Sequence, residues 1–169
     1  MGRSNQQKAN EAKQRGNTEA KRKHYFNAII HYTESIKIDP NDATVLTNRS
    51  LCFLKMAQHF LALEDAKRAI KLQPDWSKGY YRKGQVYYSA DKFDECIEAY
   101  QLGLEKCPED ETLKLALEKA QEKQKEKDDR ENWYTSVGMK IGLVCGILLV
   151  VCDEWLSSIP ALPVSKTGW

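Results

Sequence analysis

The stretch AIKLQPDWSKGYYRKG (69–84) holds the turn that decides the fold. Its Pro74 lies 34 residues after Pro40 and 34 before Pro108, which sit in SIKIDPND (35–42) and LEKCPEDE (104–111). Proline lacks a backbone donor and restricts the residue before it, so it ends a helix and fixes the turn that follows. Three such stops at one interval indicate a stacked helix–turn–helix repeat, in which no single unit can bury its own apolar face. Function then belongs to a surface that only the stack creates.

Units drawn outward from that turn, at 9–42, 43–76 and 77–110, put all three prolines at unit position 32. Gly16 and Gly84 share position 8, with Ser50 the small residue between them. Position 20 is Ala28, Ala62 and Cys96, and position 24 is Tyr32, Ala66 and Tyr100. Phe53 and Tyr87 share position 11, where the first unit has Glu19 instead. Small and bulky residues at fixed offsets are what closely crossing helices require. Over residues 9–110 this pattern resembles the tetratricopeptide repeat (TPR) family. The resemblance implies an all-α fold of three tandem helix-turn-helix repeats in a right-handed superhelix. Residues 1–8 are expected to be an N-terminal extension. After Pro108, residues 109–127 read as a capping helix, with Asp110 as N-cap and Leu113, Leu117 and Ala120 as a narrow apolar stripe. Residues 128–136 read as a linker.

The net charge of +2 over 169 residues hides an asymmetry. Residues 1–90 carry 16 Lys/Arg against 8 Asp/Glu, whereas residues 91–131 carry 8 against 14. A basic front half suits an acidic ligand. Nucleic acid is disfavoured as that ligand, because no reading module is recognisable. Five cysteines without CxxC spacing read as apolar fillers in a reducing compartment. His24, His31 and His59 lie on different elements without paired ligands, so no metal site and no cofactor is expected. The opening MGRSNQQKAN is polar throughout and is not read as a cleavable signal peptide.

In the repeat fold that the resemblance implies, the first helix of each unit lines a groove, its inner face formed by positions 2, 5, 6, 9, 12 and 13. Lys13 and Asn17 take positions 5 and 9 of the first unit, Asn48 position 6 of the second, and Lys78 and Arg82 positions 2 and 6 of the third. Lysine offers a mobile charge, arginine a planar fork that matches a carboxylate, and asparagine an amide that can anchor a peptide backbone. Together they suit a peptide that ends in a free carboxylate beside an acidic side chain. Lys13, Asn17, Asn48, Lys78 and Arg82 also match, one for one, the two-carboxylate clamp of TPR co-chaperones. The contexts KQRGN (13–17), TNRS (47–50) and DWSKGYYRKG (75–84) are similar to the stress-inducible organising co-chaperone, and TNRSLCFLKMAQH (47–59) to the chaperone-associated ubiquitin ligase. The resemblance implies, as partners, the Glu-Glu-Val-Asp-type tails of the cytosolic heat shock protein 70 and 90 chaperones. Leu51 and Leu54 are candidates for an aliphatic pocket on the groove wall, or for core, and Lys55 is a candidate contact to an upstream acidic residue. Tyr80, Tyr87, Phe53 and Trp76 are expected to pack.

From Trp133 the composition becomes apolar, with Ile141–Cys152 free of charge. Trp133, Tyr134 and Trp155 flank this run, Lys140 lies near one end, and Gly138, Gly142 and Gly146 recur every four residues. These features suggest a C-terminal transmembrane helix over 137–156, a tail at 157–169 and a TPR domain left in the cytoplasm. The run is shorter than the roughly 20 residues a span needs, so an apolar segment folded back on the repeats is the competing expectation. Three classes of function then compete: a chaperone-tail adaptor, an enzyme, and a scaffold for another protein partner. No nucleophile–base pair or phosphate loop is recognisable, so catalysis is not expected.

Overall fold

A computed structural model describes the backbone of residues 4–157 and the side chains of residues 4–140. The described residues form seven helices and no strand. They are α1 (Asn5–Lys21), α2 (Tyr25–Ile38), α3 (Ala43–Lys55), α4 (His59–Leu72), α5 (Ser77–Ser89), α6 (Phe93–Lys106) and α7 (Glu111–Ser157). The chain divides into two compact units, residues 1–124 and 125–169. In the first, α1 packs on α2, α3 on α4 and α5 on α6, while α1, α3 and α5 are neighbours along one face. The expected repeats are these three hairpins.

Each hairpin closes in the same way. Lys23, Ala57 and Asp91 adopt positive φ (64°, 57° and 54°) at matching repeat positions. The next residue, His24, Gln58 or Lys92, donates its amide back to Glu19, Phe53 or Tyr87 at 3.0, 2.9 and 3.0 Å. These bonds satisfy helix-end carbonyls that would otherwise lack partners. The second helix of each hairpin stops one residue before Asp39, Gln73 or Cys107, each followed by its proline.

Close helix crossings follow from the glycines. A Cβ on Gly16 would lie 2.6 Å from Tyr32 Cε1, and one on Gly84 2.2 Å from Tyr100 Cε1. In the middle hairpin the corresponding pair is Ser50 and Ala66, both fully buried. Arg49 of α3 and Asp65 of α4 form a bidentate pair, with both contacts at 2.7 Å, and Arg49 also donates to Thr33 of α2 at 3.0 Å. Asp65 is 5% exposed, so this ion pair joins the two helices of the middle hairpin in place of apolar packing, and the Thr33 bond ties that hairpin to the first. Tyr80 is buried, Trp76 packs on the core, and Tyr87 packs on a second cluster of Cys96, Tyr100, Leu113 and Ala120.

Two helices are longer than expected. α1 begins at Asn5 because Ser4 and Gln7 form a reciprocal capping box, so residues 5–8 are helical. α7 starts as expected, with Asp110 Oδ1 accepting from the Thr112 and Leu113 amides at 2.9 and 3.1 Å. It stays helical through 128–136, where a linker is expected from the charge run, and on to Ser157. Among the described residues no helix is long and apolar enough to cross a membrane. Side chains 141–156 of the expected span, and all but the first residue of the 157–169 tail, lie outside the described set.

Candidate functional site

The face shared by α1, α3 and α5 collects the five residues singled out from the sequence. Lys13 projects from α1, one turn before Asn17. Asn17 Oδ1 accepts from the Tyr32 hydroxyl at 2.8 Å and from Asn48 Nδ2 of α3 at 3.2 Å. Burial pushes the Tyr32 phenol up to about 12, so it remains a neutral donor. With its oxygen committed twice, Asn17 has its amide NH2 left as a donor. Asn17 and Asn48 line a cavity of about 450 Å³ together with Leu51, Lys55, Tyr25 and Tyr32.

Lys78 and Arg82 stand one turn apart on α5. The Lys78 ammonium lies over the Trp76 ring at 5.6 Å, and the Arg82 guanidinium over Tyr81 at 5.7 Å. Arg82 also donates to Gln85 Oε1. Its Nε is buried without a hydrogen-bond partner. Burial, followed by the charges of Arg82 and Lys13, holds the Lys78 ammonium below its ordinary value. Burial likewise lowers Arg82, although a guanidinium keeps its charge. Neither group forms an ion pair among the described residues, although the Asp110 carboxyl lines the same cavity. Lys78 and Arg82 border this second cavity, of about 350 Å³, shared with Trp76, Ser77, Tyr81, Asp110 and Thr112. A buried donor without a partner and a lysine pressed by like charges both favour an incoming anion.

Lys13 differs from the other two cations. Its Nζ donates to Asp42 Oδ2 at 2.8 Å and to Thr44 Oγ1 at 3.2 Å, across the α1–α3 contact. The sequence reading missed Asp42, and nothing in local spacing links it to a lysine 29 positions away. Tyr25, Tyr32 and Gln85 were missed too, since each meets the site only through the fold. Of the wall residues, Leu51 and Lys55 share the asparagine cavity. Leu54 does not: it lines a separate cavity of about 240 Å³ with Tyr81, Gln85, Tyr88, Tyr100, Ala116 and Lys119.

Comparison with known proteins follows the same outline. The profile of the tetratricopeptide repeat matches residues 77–110. The chain is 39% identical over 117 residues to the protein STIP1 homolog of Dictyostelium discoideum, covering 69% of this chain and 21% of that protein. The matched region covers between 6% and 33% of the length of the curated relatives compared. Among solved structures, it is similar to the Sgt2 TPR domain from Aspergillus fumigatus, with 30% identity and a TM-score of 0.67, over 72% of this chain and 82% of that one. It is also similar to the first TPR of Spaghetti (RPAP3) bound to the HSP90 peptide SRMEEVD. There the identity is 28% and the TM-score 0.64, over 69% of this chain and 92% of that one. Three hairpins in register, the repeat profile on the third and the likeness to the Sgt2 domain make this chain a member of the tetratricopeptide-repeat family.

Proposed function

We propose that the α1–α3–α5 face binds the acidic C-terminal peptide of a heat shock protein 70 or 90 chaperone, making the chain a co-chaperone adaptor and not an enzyme. The observation that carries this reading is the pair Lys78 and Arg82, two half-buried cations without an ion-pair partner, one with an orphaned Nε. They are suited to one carboxylate. Asn17 and Asn48, fixed to each other and to Tyr32, are suited to the terminal carboxylate and the last peptide amides, with Lys13 beside them. Leu51 and Lys55 would contact the aliphatic and acidic side chains between. The structure bound to SRMEEVD supports the ligand class, because that peptide ends in Glu-Glu-Val-Asp.

Charge-assisted hydrogen bonds contribute about 1.5–3 kcal/mol each, so several of them, less the cost of ordering the peptide, give a dissociation constant on the order of micromolar. The test is a fluorescence-polarisation titration of the chain with SRMEEVD and with its C-terminal amide. Amidation, Lys78→Ala and Arg82→Ala should each weaken binding by about tenfold or more. Unchanged affinity across all three would sink the clamp and leave a scaffold for some other protein partner.

A finer proposal is that the apolar run 141–152 recruits the bound chaperone to a membrane, with the TPR unit in the cytoplasm. Support comes from the sequence: the uncharged run and its flanking Trp133, Tyr134 and Trp155. Carbonate extraction of membranes from cells expressing the chain tests it, and release into the supernatant rules out an integral anchor.

A further inference from the structure

We propose that Asp42 is a built-in competitor for the groove: its carboxylate holds, in the empty chain, the Lys13 ammonium that a peptide carboxylate would take. This rests on the peptide-binding reading above and adds a residue that sets its affinity. Asp42 divides its two oxygens between separate tasks. Oδ1 caps α3, accepting from the Thr44 amide at 2.9 Å, the Val45 amide at 3.2 Å and the Thr44 hydroxyl at 2.5 Å. Oδ2 does no capping and meets Lys13 Nζ at 2.8 Å.

The consequence for the groove is uneven. Of the three cations, Lys78 and Arg82 form no ion pair, whereas Lys13 already has one. Both members of the Lys13–Asp42 pair keep 21% of their side-chain surface exposed, so the contact is open to an incoming group. A peptide carboxylate arriving at Lys13 must either displace Oδ2 or sit beside a like charge. In either case Asp42 lowers affinity at the α1 end of the groove, while Lys78 and Arg82 at the α5 end have no such ion pair to give up. Binding is thereby shifted toward ligands with a second carboxylate, which Lys78 and Arg82 can hold independently.

Because asparagine caps a helix about as well as aspartate, Asp42→Asn keeps the α3 cap and removes only the competing charge. The experiment is a double-mutant cycle on the full chain, with Asp42→Asn, Lys13→Met and both together, titrated with SRMEEVD while thermal midpoints are recorded. Asp42→Asn should tighten binding about two- to fivefold, the range an exposed ion pair can return, and should have no effect in the Lys13→Met background. Any loss of capping is common to both backgrounds and cancels in the cycle. Weaker or equal binding by Asp42→Asn would show that the carboxylate positions Lys13 or is inert, and overturns the competitor. The same gain in the Lys13→Met background would reduce the effect to the general field and overturns it too. If neither the unaltered chain nor Asp42→Asn binds the peptide, the clamp itself falls and the competitor with it. Binding by the unaltered chain without a gain on substitution removes the competitor alone.

Discussion

Gly84 has room for a hydrogen and nothing larger, since the Tyr100 ring occupies the place of a side chain. Alanine there gains helix propensity of up to about 1 kcal/mol, but overpacking a filled crossing costs about 1–3 kcal/mol. Gly84→Ala should therefore lower the stability measured by urea unfolding by about 1–2 kcal/mol. Gly138→Ala is the control, because a Cβ there meets nothing within 4 Å. A stabilised Gly84→Ala chain would show that the ring has slack. This pairing was legible in the sequence because a missing side chain at position 8 and a ring at position 24 recur together. The Lys13–Asp42 contact was not legible. It depends on how α1 lies against α3, which no local pattern reports. Glu19 is a similar case, an acid where later repeats have a ring. Its carboxylate bonds His24 at 2.9 Å and Arg22 at 3.1 Å, and the His24 bond holds it below its ordinary value.

At the scale of the element, three left-handed caps end α1, α3 and α5 without a glycine among them. Non-glycine residues in that conformation cost about 1–2 kcal/mol, part of which a glycine returns as extra freedom in the unfolded chain. Ala57→Gly should accordingly raise stability by about 0.5–1 kcal/mol in the same urea assay. A loss would mean that the turn is relaxed with alanine in place. The helix pairs and their prolines were legible from periodicity. These caps were not, since Lys23 and Ala57 carry no compositional signal for positive φ and Asp91 alone belongs to a type that favours it. Nor did the charge run after Gln124 mark a stop. Glutamate and lysine are good helix formers, and nothing between 128 and 136 breaks the backbone pattern of α7.

Across the first unit, two aspartates secure junctions of the stack, Asp42 between the first and second hairpins and Asp110 between the third hairpin and α7. Burial raises Asp42, but hydrogen bonds from Lys13 and Thr44 outweigh it and hold the carboxyl below its ordinary 3.8. Asp110 is lowered first by its hydrogen bond with Ser77, and then by the α7 amides it caps. A carboxyl depressed on folding adds stability that is complete above its unfolded value and disappears as pH falls through its folded value. Stability should thus be flat near neutrality and decline below about pH 4, with Asp42→Asn reducing the slope. Denaturant midpoints measured from pH 7 to pH 2 check this, and an unchanged slope in the variant would remove Asp42 from the account. The unit's groove cations lie in the basic front half and its capping helix in the acidic remainder, so charge segregates along the stack as the sequence indicated.

The complementary fillings of the hairpins also constrain how such a chain can be rearranged. Glycine faces a ring in the first and third, while serine accompanies alanine in the second. A duplication or exchange with its breakpoint between hairpins, at the proline turns, carries matched partners together. One that joins a helix of the middle hairpin to a helix of an outer hairpin would set a ring against serine, or alanine against glycine, and leave either a clash or a void. At this crossing the outer hairpins can exchange helices with each other, whereas the middle hairpin moves only as a pair.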